Sequence, residues 1–273
     1  MRKKIYSTDL KDAEWEILEP LLKKQLERQD PRGKKLEHSL REIVNAIRYV
    51  LGNGIKWKDI PEGFPPSGTV YYHCAKWRDK GFWKSINKRM RRRLRALAGR
   101  HPDASIALAD SQSVKGTMRS DNGYDGNKKV NGIRRQILVC TMGFLLNVAI
   151  TTANTSDKEG LRHLLAGLYH DCPRLKTIRT DQGYRLGATF KNYILEAYSW
   201  VIEMILRPKD HKGFVVIPKR WVVERTFAWL GNYRRLCKHY EVLDSSAESF
   251  IYMAMVDLMT KRLAGTSTTS FRS

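Results

Sequence analysis

Several things are missing from this chain, and each absence excludes a class of protein. No run of about 18 apolar residues occurs in its 273 residues, so no membrane-spanning helix is expected. The start, "MRKKIYSTDL", has basic residues with no apolar stretch behind them and does not read as a secretory signal. Cysteine is scarce: Cys74, Cys140, Cys172 and Cys237 lie far apart and form no CxxC pair. That excludes a disulfide framework and a zinc site, and suits reduced thiols in a cytosolic protein. His163, His170 and Cys172 cluster only loosely, and a structural role suits them better than a metal. There is no internal repeat and no low-complexity tract. Acidic residues are in deficit, with 28 Asp and Glu against 50 Lys and Arg.

That deficit leaves a formal net charge of +22 and a pI near 10.0. Such an excess points to a polyanionic partner, most simply nucleic acid, whose condensed counterions are released as phosphates are neutralised. The distribution sharpens the reading. Residues 84–100, "KSINKRMRRRLRALAGR", hold eight basic residues and no acidic one, too one-sided for an ordinary solvated face. A hydrophobic content of 42% with seven Trp argues for a folded chain with a substantial core.

The first hundred residues read as helical. "STDLKDAEWEILEPLL" offers capping residues and then Trp15, Leu18, Leu21 and Leu22 at helical spacing. "LREIVNAIRYVLGNG" puts Leu40, Ile43, Ile47, Val50 and Leu51 on one face and stops at Gly52 and Gly54. After the turn "PEGFPPSG", a third stretch, "TVYYHCAKWRDKG", is entered from Ser67. Three helices with a tight turn before the last resemble a helix-turn-helix unit, with Tyr71, Tyr72, Lys76 and Arg78 as candidate DNA contacts. A plain three-helix bundle fits the same pattern. Residues 1–100 are therefore expected to form a small all-α unit, and residues 101–273 a second domain.

From residue 101 the pattern becomes α/β. "ASIALAD" reads as a short strand ending on Asp110, followed by a polar loop to about residue 132. "IRRQILVCT" and "FLLNVAITT" read as a hairpin, and "SDKE" has capping-box form before a helix. "LKTIRT" is a strand ending on Asp181; "GATFKNYILEAY" is a helix, "SWVIEMI" a strand and "FVVIP" a short extended piece. "RWVVERTFAWLGNYRRL" and "SAESFIYMAMVDLMTKRLA" read as two final helices. Three strands followed by alternating helices and strands match a ribonuclease-H-like mixed sheet with flanking helices. In that layout the first and fourth strands lie side by side and parallel, so Asp110 and Asp181 emerge together at the edge where open α/β sheets bind ligands. Glu224, the lone acid between residues 211 and 240, is the candidate third carboxylate. Three carboxylates in a basic surround suit two divalent cations such as Mg²⁺, which can clamp the oxygens of an in-line phosphoryl displacement.

At these residues the chain resembles a DDE-class transposase of bacterial insertion sequences, in the group of IS4 and IS5 elements. The resemblance rests on "REIVNAIRYVL", "GFPPSGTVYYH", "ADSQSVK", "GYDGNKKVNG", "TDQGYR" and "IPKRWVVERTFAWLGNYRRL" and runs over nearly the whole chain. It implies a catalytic triad of Asp110, Asp181 and Glu224, two Mg²⁺ or Mn²⁺ ions, and a bacterial, nucleoid-associated protein in the cytoplasm. It also implies cleavage of double-stranded DNA at terminal inverted repeats and joining of the 3′ hydroxyls to target DNA, with a homodimer assembled on the ends. Lys115, Lys128, Lys129, Arg134, Arg135, Tyr184, Arg185 and Arg220 are the candidates for holding DNA near the site. The family pattern around the glutamate is met at Arg220 and Glu224. It is not met at Ile217, in place of Tyr, or at Gly231, in place of a basic residue for which Arg234 or Arg235 could substitute. Gln136 and Cys140 also depart, standing where His and Asp are frequent. A DNA-binding protein without catalysis and a ribonuclease-H-like nuclease are the two alternatives; the three acids argue against the first and the helix-turn-helix-like unit against the second.

Overall fold

The computed structural model describes residues 5–29, 37–117, 121–184, 186–205 and 221–266. The chain runs α1 (Asp12–Gln29), α2 (Leu40–Asn53), α3 (Ser67–Asp79), α4 (Phe82–Leu97), β1 (Ile106–Lys115), β2 (Gly123–Asp125), β3 (Val130–Cys140), β4 (Leu145–Thr152) and α5 (Asp157–Leu165). It continues through β5 (Thr177–Thr180), α6 (Ala188–Tyr198), β6 (Val201–Met204), α7 (Trp221–Gly231) and α8 (Asp244–Leu263). Two compact units result: Met1–Leu94 with Gly231–Cys237 and Ser245–Ser273, and Arg95–Leu230 with Lys238–Asp244.

In the helical unit α2 buries Ile43, Val44, Ala46, Ile47, Val50 and Leu51, the face its periodicity predicts. It ends at Gly54, whose φ of 71° places it in the left-handed region and whose N–H donates to the Val50 carbonyl. The unit is wider than residues 1–100. Helix α8 is buried nearly all round, through Phe250, Ile251, Met253, Met255, Val256 and Met259, as a helix with no polar face must be. Its buried Asp257 pairs with Arg48 at 2.7 Å and with Lys261 at 2.8 Å, and accepts from the Tyr233 hydroxyl at 2.7 Å. Arg48 also reaches Glu14, so the last helix is tied to the first two by charges that would be costly to bury unpaired.

The basic stretch is less solvated than its composition predicts. Arg91 and Arg95 are buried, the Arg95 Nε donates to the His101 carbonyl and Arg89 donates to Gln25. Arg92 and Arg93 are exposed.

The α/β unit is one six-stranded sheet of order β2-β3-β1-β5-β6, with β4 also paired to β3. β1, β3 and β4 are antiparallel neighbours, while β1–β5 and β5–β6 are parallel. This is the ribonuclease-H-like mixed sheet, with strand 1 beside the strand that returns through a crossover helix. Ser156 caps α5 by accepting from the Glu159 N–H, as the capping box predicts.

Three details differ from expectation. β1 does not stop at Asp110 but runs on to Lys115, because β3 pairs with it from Ala107 to Lys115 while β5 pairs only as far as Leu108. The loop after β1 contains the short strand β2, paired to the start of β3. Helix α7 ends at Gly231, and Arg234 and Arg235 sit in a separate 3-10 turn, so they do not extend its face. The stretches "FVVIP" and "RPKDHKGF" lie outside the described residues.

Candidate active site

The parallel register sets the geometry. Leu108 on β1 pairs with Arg179 on β5, and Asp110 and Asp181 each lie two residues beyond that pair. Strands that share a direction and a register deliver equivalent positions to the same sheet edge. Both aspartates line one cavity of about 30 Å³ together with Leu108, Ala109, Arg179, Thr180, Ile205 and Val223, enough for about two water-sized groups. Asp110 is thus delivered by the end of the parallel pairing rather than by the end of its strand.

Each aspartate is held by a neighbouring backbone group. The Ser111 N–H donates to the Asp110 Oδ1 at 2.7 Å. The Gly183 N–H donates to the Asp181 Oδ1 at 3.0 Å, so Asp181 itself organises the 3-10 turn of Gln182–Tyr184 that follows β5. Burial pushes the Asp110 carboxyl up to about 6; the Ser111 N–H and Lys128 oppose the rise, and the charges of Asp181 and Glu224 add to it. Glu224 is exposed in the first turn of α7, next to the cavity-lining Val223.

Helix α7 is docked by the β3–β4 turn. The Thr226 hydroxyl donates to the Gly143 carbonyl at 2.8 Å and Arg225 donates to the Met142 carbonyl at 3.1 Å. Gly143 has φ of 82°, and a Cβ there would sit 2.9 Å from the Trp229 ring. Trp229 is buried against Phe144, the core role its helical spacing predicts, and Arg225 lies between the Trp221 and Trp229 rings.

The carboxylate oxygens of Asp110 and Asp181 are donors that suit a hard divalent cation. Among the described residues, no three His, Cys, Asp or Glu side chains are already gathered closely enough to hold an ion. The structure therefore brings the two aspartates to one cavity and places Glu224 within electrostatic reach of Asp110, without closing the three around a common point.

The other candidate residues divide. Lys115, Lys128 and Lys129 are exposed, and Asp125 accepts from the Asn127 and Lys128 N–H groups to shape the turn that presents the two lysines. Tyr71 and Tyr72 are exposed on α3, with the Lys76 ammonium 6.0 Å from the Tyr72 ring; Arg78 is turned to Asp79 and Ser246. Arg134 and Arg135 face inward instead of toward a phosphate backbone: Arg135 is buried, and Arg134 binds Asp125 at 2.8 Å and Asp157 at 3.0 Å. Tyr184 is only 3% exposed and is no surface contact. Arg185 and Arg220 lie outside the described residues.

Sequence reasoning passed over a polar chain beside the site. The Ser111 hydroxyl donates to Asp157, Arg134 bridges Asp157 and Asp125, and the Ser113 hydroxyl donates to Asp125. The alternation in "DSQS" was the available signal, since Ser111 and Ser113 share one face of β1.

Comparison with known proteins bears on the same elements. A family model described as "Transposase DDE domain" matches residues 101–256, and one described as "Putative transposase of IS4/5 family" matches residues 10–87. The chain is also 29% identical over 106 residues to "Insertion element IS402 uncharacterized 16.2 kDa protein" of Burkholderia cepacia, covering 38% of this chain and 71% of that protein. Transposases of this class use divalent metal ions and bind DNA at insertion-sequence ends. Among the described residues no helix is long and apolar enough to cross a membrane. With more than half of its length matched by the transposase DDE domain, the chain belongs to the DDE-domain transposases.

Proposed function

We propose that this transposase cleaves DNA at the ends of its insertion sequence and joins the freed 3′ hydroxyls to target DNA, with Asp110, Asp181 and Glu224 as the catalytic carboxylates. The observation that carries the reading is the common register of Asp110 and Asp181 beside one cavity, with Glu224 and Lys128 in electrostatic range of Asp110. The three carboxylates would hold Mg²⁺ or Mn²⁺, two ions in the full site, which when bound supply Lewis-acid stabilisation of the attacking and leaving oxygens.

The protein's own groups have separate tasks. Asp110 and Asp181 are fixed by backbone N–H donors, so their oxygens need little reorganisation. Glu224 comes from a helix rather than the sheet and completes the site from its rim. Lys128, Lys129 and Lys115 hold the phosphate backbone near the acids, and Tyr71, Tyr72 and Lys76 on α3 contact the terminal repeat. A homodimer on the paired ends is the assembly that joining two ends requires.

The test is a strand-transfer assay with the terminal inverted repeats that flank the gene. Cleavage and joining of labelled repeat DNA by the full chain, absent with a scrambled repeat, is the expected result. A chain that binds the repeats in Mg²⁺ yet leaves every phosphodiester intact would refute catalysis and leave a DNA-binding protein.

A further inference from the structure

Tyr184 carries an unexplained polar group near the acidic centre. Its side chain is 3% exposed, and its hydroxyl has no hydrogen-bond partner among the described residues. Buried polar groups are paired in roughly nine cases of ten or more, and an orphaned one is costly. The hydroxyl is not in an apolar corner. Asp110, Asp157, Asp181 and Arg134 all act on it electrostatically, and burial with the three carboxylates raises the phenol well above its ordinary range. It therefore keeps its proton and remains a donor.

The backbone holds it there. Tyr184 ends the 3-10 turn that the Asp181 carboxylate organises through the Gly183 N–H. That turn packs on α5, whose first residue, Asp157, is fixed by Arg134 and Ser111. Ser111 in turn supplies the N–H on Asp110. The phenol is thus positioned from the same elements as both aspartates, and a phenylalanine would fill the same space without the orphaned oxygen.

We propose that Tyr184 is a positioning residue for the Asp110–Asp181 pair, its hydroxyl being the donor that orients a carboxylate of that pair when a divalent cation is held there. The inference rests on the proposed catalytic reading of those aspartates. Among the described residues the hydroxyl is unpaired, and on this proposal it gains its acceptor with the cation. It follows that its benefit belongs to the cation-bound form and its cost to the free one.

The experiment compares the full-length wild type with Tyr184→Phe and Asp110→Asn, using Mn²⁺ alone as the probe and no DNA. By calorimetric titration Y184F should bind Mn²⁺ about tenfold more weakly, the lower end of the range for partners that orient metal ligands. Its melting temperature without metal should equal or exceed the wild type's, and the rise on adding Mn²⁺ should shrink. With repeat DNA, single-turnover cleavage at saturating DNA should fall about 10- to 100-fold while the DNA dissociation constant in Ca²⁺ stays put. Wild-type Mn²⁺ affinity in Y184F, with Asp110→Asn losing it, overturns this inference alone. Unimpaired Mn²⁺ binding by Asp110→Asn overturns the catalytic reading beneath it. A metal-free melting temperature several degrees lower in Y184F also overturns the inference, because the hydroxyl would already be satisfied in the fold. Should Y184F not fold, 3-fluorotyrosine at position 184 of the wild type reports by ¹⁹F resonance: a shift on adding Mg²⁺ is expected, and an unmoved line overturns the proposal.

Discussion

At the scale of single residues, the proposed mechanism assigns metal ligation and DNA contact to different side chains. Asp110 and Asp181 sit by a cavity too small for a base, while Lys115, Lys128 and Lys129 are exposed. Replacing Asp110, Asp181 or Glu224 with Ala should abolish cleavage of repeat DNA and leave the gel-shift affinity within a few-fold of wild type. A parallel collapse of binding would contradict that separation. A different residue contributes to the acid sensitivity of the fold. His239 is buried, its N–H donates to the Lys115 carbonyl, and burial with Arg135 nearby lowers its imidazole to about 4. A depressed histidine binds its proton more weakly folded than unfolded, so its contribution is whole above about 6.5 and lost as pH falls from there toward 4. The loss is roughly 3 kcal/mol at most, at 1.36 kcal/mol per unit. Urea midpoints from pH 7 to 4 should fall less steeply in His239→Gln than in the wild type, and parallel curves would refute the assignment.

At the scale of elements, the site depends on how α7 docks. The residues that seat it, Val222, Val223, Thr226 and Trp229, follow helical periodicity. Thr226 and Trp229 are received by the β3–β4 turn, where Gly143 combines a φ of 82° with a near approach to the Trp229 ring and the Thr226 hydroxyl. Ala at this position is strained by the left-handed backbone, at ~1 kcal/mol or more, and also crowds a buried ring. Gly143→Ala should destabilise the α/β unit by about 2 kcal/mol or more and reduce cleavage further than stability accounts for, since Glu224 rides on the displaced helix. Thr226→Val, which removes one hydroxyl bond, should cost about 1 kcal/mol and keep most activity. Equal activity losses in the two variants, measured well below their melting temperatures, would separate α7 docking from catalysis.

At the scale of the whole molecule, charge and chain connectivity make distinct predictions. If Lys128 and Lys129 each neutralise a phosphate, the K128A/K129A double variant should weaken binding to all duplexes alike. The slope of log affinity against log salt should fall by roughly 0.9 per contact, about two in total; an unchanged slope would mean the lysines are merely solvated. The helical unit tests the division of the chain. A fragment of residues 1–100 lacks α8, which supplies Asp257 to Arg48 and a buried face of Phe250, Ile251, Val256 and Met259. It should show no cooperative unfolding transition, and specificity for the terminal repeat should instead be lost in the full chain on replacing Tyr71 and Tyr72 with Ala. A sharp melting transition in the fragment would contradict the role given to α8.

What the sequence determined by itself was local and periodic. Helical spacing marked α1, α2 and α3, "SDKE" marked the start of α5, and alternating strands and helices were enough to set Asp110 and Asp181 side by side. Those features depend on propensity and on burial of one face, both carried by neighbouring residues. The reach of β1 past Asp110 could not be seen, because a strand ends where its partners end, and β3 is longer than β5. Nor could the fate of Arg91, Arg95, Arg134 and Arg135, since a guanidinium reads as surface until the carboxylate or carbonyl that receives it is brought in from distant sequence. The place of α8 and the orphaned hydroxyl of Tyr184 belong to the same category. An apolar helix shows that it is buried but not against what, and an unpaired donor exists only once every other polar group around it has found its partner.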